Sequence, residues 1–478
     1  MRWTSLMSTA LVLLSVSPSG LSPAAPMSEG FWTGLLVTVG EVTATTATLW
    51  VKGDRRGLVA AKYQADDHGP VHEVGIALDP RADLTGRVAL AGLEPRTRYV
   101  YELDHDGERV TGSFRTAPRP ATGVAARVLW SGDLGGANHC RDVEDGYRIF
   151  EAMTERHADL FLFIGDTIYA DQTCGRTPHA RGSSFVAESI GEFHAKYRYN
   201  RADATLQRLF RTTPVEAIWD DHEVRNNFAG PMEPLMPVGR QAFLDYWPVS
   251  GAADEPTRLY RRLRWGRHLE VFVLDTRQYR SPNEVPDGPA KSMLGAAQRA
   301  WLLDGLARSD ATWKVIVSSV PLGMFTGGAF SDSWSGANVL GFPRKGNGFV
   351  HERSAILDAI HRGGVKNLVV LSGDVHHAEL IRHEPIPGFV LHEFVAGPLA
   401  ARQGFRRFLD RSLNSQSLGS LGWANNFGEL VADGDRLTVR IIDTAGTPRV
   451  SLRVGVAPTV LEAQAEVHAV HPESGETR

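Results

Sequence analysis

Four short motifs carry residue types that can do chemistry: Ser131-Gly132-Asp133, Gly165-Asp166-Thr167-Ile168-Tyr169, Trp219-Asp220-Asp221-His222-Glu223 and Gly373-Asp374-Val375-His376-His377. Each follows an apolar run, so each places an acid where a strand should end. A single Gly-Asp after a strand is ordinarily a turn. Four of them, with His and Tyr at close offsets, point elsewhere. Carboxylates gathered in one crevice repel one another unless a cation compensates or protons are taken up. Two imidazoles beside them complete an oxygen and nitrogen donor set suited to iron, manganese, zinc or calcium. A centre of two metal ions is the economical reading. The chain's two cysteines cannot form a zinc cage, which leaves oxygen and imidazole as the main donors. Asp275, in LEVFVLDTRQYR, is a fifth strand-end acid without an adjacent His, and pairing with Arg277 or Arg280 would make it structural. Asp220 is expected to be a helper or structural acid, because two adjacent acids rarely both point inward.

The elements that must position these acids are RVLWSGD, DLFLFIGD, PVEAIWDD, LEVFVLD, WKVIVSSV and NLVVLSGD. Such near-continuous apolar runs are the signature of strands buried on both faces. Amphipathic helices fit between them, at Gly146–Arg156, Glu192–Tyr197 and Ala296–Leu306. This predicts an α/β sandwich with a largely parallel core over about residues 126–455, with ligands outside the carboxyl ends of its strands. Phe31 to Thr116 alternates with period two and is rich in β-branched residues, as a β-sandwich would be. There Leu93-x-Pro95-x-x-x-Tyr99 resembles the tyrosine corner of fibronectin type III-like domains, and Trp50 is a core candidate. The Pro-rich stretch Ala117–Pro120 reads as the boundary.

The whole chain is consistent with this division. Its 478 residues are too many for one compact core and suit a large domain with a smaller one. Hydrophobic residues at 42% and charged residues at 22% exclude a disordered or fibrous protein. A net charge of −4 lacks the footprint of a nucleic-acid protein, so no nucleic-acid scaffold is expected. Residues 1–26 read as an export signal, with Arg2, the apolar run Leu6–Val16 and small residues at Ser22-Pro23-Ala24; Met27 is the alternative start. No other segment approaches 18 unbroken apolar residues, so the mature chain is expected to lack a transmembrane segment and to be secreted, periplasmic or at the cell surface. From Ala457 the chain is polar without a period, a flexible tail over 457–478.

The order of GDTIYAD, KYRYN, WDDHEVRNN, LDTRQYRSP, MLGAAQRAWLLDGL and GDVHHAEL resembles the alkaline phosphatase D (PhoD-like) metallophosphatases. The resemblance spans nearly the whole mature chain. It implies a fibronectin type III-like β-sandwich over 27–120 and a calcineurin-like four-layer α/β metallophosphatase domain over 121–456. It also implies an iron-and-calcium centre that hydrolyses phosphate esters. By the resemblance Asp166 is the bridging carboxylate, Tyr169 a ferric ligand, Asp221 a ligand where relatives usually carry Asn, and His222 the phosphate-facing histidine. Asp374 and His376 match the last metal-binding motif, with His377 a weaker candidate. Asp133 stands where some members place a Cys ligand, exchanging a soft thiolate for a hard carboxylate and leaving Mn²⁺ or Zn²⁺ open beside Fe³⁺ with Ca²⁺.

Two cations about 4 Å apart can hold a hydroxide and neutralise charge on the non-bridging oxygens of a phosphate ester during in-line attack. His222 would then protonate the leaving alkoxide or bind a phosphoryl oxygen. Asn226 and Asn227 either fix the loop or donate to substrate. The substrate is a small-molecule or lipid phosphate ester, and the enzyme is expected to act as a monomer. Two rivals stand: a phosphodiesterase with phospholipase D-like activity, and a non-catalytic protein that binds a surface polymer. Specificity is expected in the Gly-rich segment Gly323–Gly348, whose Phe330, Trp334 and Phe342 would contact an apolar leaving group. Cys140 and Cys174 each lie a few residues past a metal-bearing strand end, which predicts a disulfide between neighbouring loops.

Overall fold

The computed structural model describes residues 34–456 except 67–68, 137–138 and 175–178. The expected signal segment, the alternative start at Met27 and the tail from Ala457 lie outside the described residues. The first seven strands are β1 (Leu36–Gly40), β2 (Thr46–Lys52), β3 (Leu58–Ala65), β4 (His72–Ala77), β5 (Thr85–Ala91), β6 (Arg98–His105) and β7 (Glu108–Arg115). They form a three-stranded sheet, β1-β2-β5, and a four-stranded sheet, β4-β3-β6-β7. Period-two sequence becomes alternating burial: in β6, Tyr99, Tyr101, Leu103 and His105 are buried while their neighbours are not. The Tyr99 hydroxyl accepts the Glu94 backbone N–H at 2.8 Å, which closes the tyrosine corner.

The larger region contributes β8 (Ala126–Ser131), β9 (Leu160–Ile164), β10 (Val215–Ile218), β11 (Arg261–Trp265), β12 (Leu269–Val273), β13 (Trp313–Val317) and β14 (Leu368–Ser372). It continues with β15 (Ala378–Ile386), β16 (Phe389–Val395), β17 (Gln416–Leu421), β18 (Asn426–Asp433), β19 (Arg436–Asp443) and β20 (Pro448–Gly455). Its helices are α1 (Ile149–Thr154), α2 (Ile190–Arg201), α3 (Ala204–Phe210), α4 (Met236–Tyr246), α5 (Gly295–Arg308) and α6 (Val350–Arg362). One sheet has the order β10-β9-β8-β18-β19-β20 and the other β11-β12-β13-β14-β16-β15-β17. In the first, β8, β9 and β10 run parallel. In the second, β12, β13, β14 and β16 do.

The six apolar runs of the sequence become six of the seven parallel strands, and β9, β12, β13 and β14 are buried at every residue. Phe272 of β12, Ile316 of β13 and Val370 of β14 pack against Leu302 and Leu306 of α5 and Ile356, Leu357 and Ile360 of α6. Helices α1, α3 and α4 cover the other sheet through Phe150, Phe210 and Phe243, with Trp247, just past α4, edge-on to Phe163 of β9. The result is a four-layer α/β sandwich behind an N-terminal β-sandwich. Its antiparallel C-terminal strands have weaker apolar runs and went unread in the sequence. No described helix is long and apolar enough to cross a membrane.

Trp50 is buried, but at the seam between the two regions: its indole donates to the Asp245 carbonyl, and the Arg201 guanidinium lies 4.9 Å from its ring centroid. The Val37 N–H donates to Gln207 and the Tyr101 hydroxyl to the Arg211 carbonyl, so the β-sandwich grips α2, α3 and α4 directly.

Candidate metal centre

Parallel strands release their acids at their carboxyl ends, and here two sheets do so toward one point. Strands β8, β9 and β10 lead to Asp133, Asp166 and the pair Asp220 and Asp221, while β14 leads to Asp374 and His376. Asp133, Asp166, Asp374 and His376 all have positive φ, at 58°, 51°, 69° and 59°. Left-handed backbone is costly for residues other than glycine, and its concentration here aims side chains where a regular strand end would not. Gly165 permits the close approach: a Cβ there would lie 2.5 Å from Cβ of Asp220 and 3.3 Å from Cβ of Ser319 on the other sheet.

Donor atoms fall into three overlapping groups, each with all members within 4.8 Å of one another: Asp133, Asp166 and His376; Asp166, Asp221 and His222; Asp220, Asp221 and Asp374. Asp166 belongs to two groups and Asp221 to two. Asp220 therefore joins the cluster together with Asp221, contrary to the expectation from adjacency: the turn after β10 lets both carboxylates reach it. Asp133 Oδ2, Asp220 Oδ2, Asp221 Oδ1 and Asp374 Oδ2 are buried without a hydrogen-bond partner. Burial, and then the neighbouring carboxylates, push Asp133, Asp166 and Asp374 well above the usual carboxylate range. Asp221 is the exception: burial would raise it, but the charges of His222 and Arg277 and the Asn227 N–H hold it at about 2. Buried, orphaned carboxylate oxygens that converge are the donor set a pair of hard cations requires, so the residues fit a metal centre.

The surrounding groups hold this set in place. Nδ1 of His376 donates to the Arg402 carbonyl at 2.6 Å, which leaves Nε2 as the donor atom facing Tyr169 Oη at 3.2 Å and Asp133 Oδ1 at 3.7 Å. Tyr169 is buried, and burial with the charges of Asp166 and Asp133 raises its phenol well above the ordinary value. His222 stacks on Tyr169 at 4.2 Å between ring centroids, and its Nδ1 lies 2.8 Å from Asp171 Oδ1. Burial lowers the His222 imidazole, but Asp221 and Asp171 outweigh it and raise it to about 9. Asn227 offers its backbone N–H to Asp221 Oδ2 at 2.6 Å, while Asn226 offers its own to Asp171. Both asparagines line a cavity of about 600 Å³ that opens over Asp221, His222, Asp374 and His376.

Some roles differ from the sequence expectations. Asp275 accepts from the Trp219 indole and the backbone N–H groups of Arg277 and Gln278, so it is structural, but neither guanidinium pairs with it. The Arg277 side chain turns instead to Asp220 at 2.7 Å and Asp332 at 2.6 Å, and Arg280 pairs with Asp332. His377 points away from the cluster, into the core beside Glu379. Trp334 is 2% exposed and donates to Ser318, so it packs the lid segment down and does not reach substrate. Phe342 lies under the Arg411 guanidinium. Cys140 and Cys174 form a disulfide with Cα atoms 5.9 Å apart, joining the loops that follow Asp133 and Asp166.

The sequence reading missed Asp171, Glu223 and the Arg277–Asp332 pair. Glu223 accepts from the N–H groups of Asp166, Thr167 and Asp220, tying two acid-bearing turns together, and burial raises its carboxyl to about 7 despite those bonds. Asp171 and Glu223 stood inside quoted motifs. Their signal was an acid at a fixed offset from a candidate His or Asp.

The sequence model described as PhoD-like phosphatase matches residues 135–440. The chain belongs to the PhoD-like phosphatase family. The PhoD-like match contains Asp166, Tyr169, Asp221, His222, Asp374 and His376, and it begins just after Asp133. Alkaline phosphatase D of Bacillus subtilis (strain 168) is 27% identical over 323 residues, 60% of this chain and 52% of that protein. The match thus spans about half the length of this curated relative. Among solved structures, that of PhoD superposes with a TM-score of 0.73 at 21% identity, covering 91% of this chain and 92% of the other. Purple acid phosphatase PPD1 from yellow lupin (Lupinus luteus) seeds gives a TM-score of 0.61 at 14% identity over 88% and 74%. Both similarities are of fold.

Proposed function

We propose that this chain hydrolyses phosphate esters at the centre formed by Asp133, Asp166, Tyr169, Asp221, Asp374 and His376. The observation that carries this reading is the convergence of buried carboxylate oxygens without partners, from two sheets, beside an open cavity. Asp133, Asp166, His376 and Tyr169 would hold one ion, and Asp221, Asp374 and Asp220 the other, with Asp166 between them. Bound ions supply positive charge to the non-bridging phosphoryl oxygens and lower the pKa of a water toward neutrality. Buried Tyr169 favours a ferric ion when ionised, and the hard carboxylates favour calcium or manganese beside it.

His222 is the catalytic residue of this proposal. With Nδ1–H donated to Asp171, Nε2 carries a proton in the imidazolium, the form that the Asp221 and Asp171 carboxylates favour by raising His222 to about 9. As water adds to phosphorus and the bond to the ester oxygen breaks, Nε2 gives its proton to the leaving alkoxide, a step worth about 10²–10⁴-fold. Asn227 fixes Asp221 from the backbone, and its side chain is the candidate donor to substrate. The open cavity also leaves room for a second esterified group, which keeps phosphodiesters, including lipid ones, within the substrate class. The disulfide supports an oxidising compartment, so export of the chain with residues 1–26 as its signal is part of the proposal. So is the division into a β-sandwich over 27–120 and a catalytic domain over 121–456.

The test is a pair of variants. Asp166→Asn should lose metal and at least 100-fold in kcat, because a neutral amide is a poor bridging ligand. His222→Ala should keep its metal and lose about 10²-fold or more. Turnover near wild type in either variant contradicts the assigned site, and metal loss in the second makes His222 a ligand.

A further inference from the structure

The cavity over the centre has a second wall that the hydrolytic reading does not use. Phe405 and Trp423 stand on it, 63% and 68% exposed, with ring centroids 6.0 Å apart and planes 29° apart. Among the described tryptophans, Trp423 alone is exposed. Large aromatic surface left in water needs a reason when it lies in a concave site beside candidate catalytic groups. Trp423 also has φ of 56°, a left-handed backbone that a bulky residue adopts only when its surroundings impose it.

What imposes it is a ladder of bonds from the metal site. The Trp423 N–H donates to the Gly404 carbonyl at 2.8 Å, the Gly404 N–H to the His376 carbonyl at 2.6 Å, and His376 Nδ1 to the Arg402 carbonyl. Gln403 bonds Asn425 at 2.8 Å and holds the two loops together. The aromatic pair is therefore tied through the backbone to His376 on the wall of the cavity. Arg402 and Arg407 flank it, and Arg407 is anchored on the Phe325 carbonyl.

We infer that Phe405 and Trp423 form a stacking platform for the leaving group of the substrate, and that this group is a nucleoside. The inference rests on the phosphate ester reading, which places the phosphoryl group at the carboxylates and leaves the alcohol portion to the rest of the cavity. A nucleobase offers the π-face that such a platform binds. Its acceptor edges, and the negative charge of a nucleotide, suit guanidinium groups, which only donate. A sugar on the same platform could bond Asn226, Asn227 and Gln403 of the same wall, so ribose 5-phosphate is the comparison that separates the two.

The experiment compares kcat/KM for adenosine 5′-monophosphate and glycerol 3-phosphate in the full metal-loaded chain, with adenosine binding measured by calorimetry. Trp423→Asn removes the ring but keeps a residue that tolerates the backbone, and Phe405→Ala removes the other ring. The inference expects wild type to prefer the nucleotide and each variant to lose about tenfold or more of that preference. It expects Trp423→Asn to lose adenosine affinity by a similar factor, while Leu58→Ala, an exposed apolar residue on β3 outside the cavity, keeps the wild-type ratio. A preference unchanged within about twofold in both platform variants overturns it, as does equal preference for ribose 5-phosphate, which would put a sugar on the platform. If wild type hydrolyses neither ester nor the diester bis(p-nitrophenyl) phosphate, the phosphate ester reading fails, and the adenosine titration still decides for or against the platform.

Discussion

Tyr169 shows how much one residue type can decide. Its phenol lies 3.2 Å from His376 Nε2, and burial with two nearby carboxylates opposes its ionisation. Only a strongly polarising cation would reverse that, and a phenolate is a hard anion that favours a ferric ion. Iron-containing protein should therefore show a visible phenolate-to-iron absorption band that Tyr169→Phe removes. An unchanged band would take Tyr169 out of the ligand set. At this scale the acids were legible, since Gly-Asp after an apolar run is a local pattern. The direction of a neighbouring side chain was not. Arg277 and Asp275 are two residues apart, yet the guanidinium turns to Asp220 and Asp332, which reach it from other loops. Asp220 and Asp221 were read as pointing apart, and the turn after β10 brings both inward.

The elements divide by how local their signals are. Buried parallel strands announce themselves as short apolar runs, and the helices between them by period. The platform loops around Phe405 and Trp423 have neither signal, because their conformation depends on bonds to His376. Two element-scale predictions test what holds the strand ends. The disulfide closes the loops after β8 and β9 across a sequence separation of 34. Replacing both cysteines by serine should lower stability by about 3–4 kcal/mol in denaturant titrations, from the restored entropy of the unfolded chain. No change would mean that the loops are held by other contacts. The second concerns β18, which joins β8 to the C-terminal hairpin. Its buried Glu429 is bonded to Arg156 and Arg440 at 2.7–2.9 Å. Burial would raise this carboxyl, but those arginines hold it below the usual range. A depressed carboxyl stabilises the fold above its unfolded pKa and ceases to do so as pH falls through the folded value. Glu429→Gln should thus cost about 1–2 kcal/mol near neutral pH, reduced by the exposure of its arginine partners. The difference should shrink as pH drops below about 4. A pH-independent difference would assign the loss to packing.

For the whole molecule, the central claim is that two sheets deliver their strand-end acids to one site. Without cations the same convergence leaves carboxylates that burial first, and then their neighbours, make costly to ionise at Asp133, Asp166 and Asp374. Binding should therefore stabilise the fold as well as enable hydrolysis. The most direct measurement is metal content, Tm and phosphate ester turnover on one preparation, before chelation, after it and after metal is restored. The expected result is two or more ions per chain, with turnover and Tm both falling on chelation and recovering together. Full turnover in protein shown to be free of metal would contradict the claim.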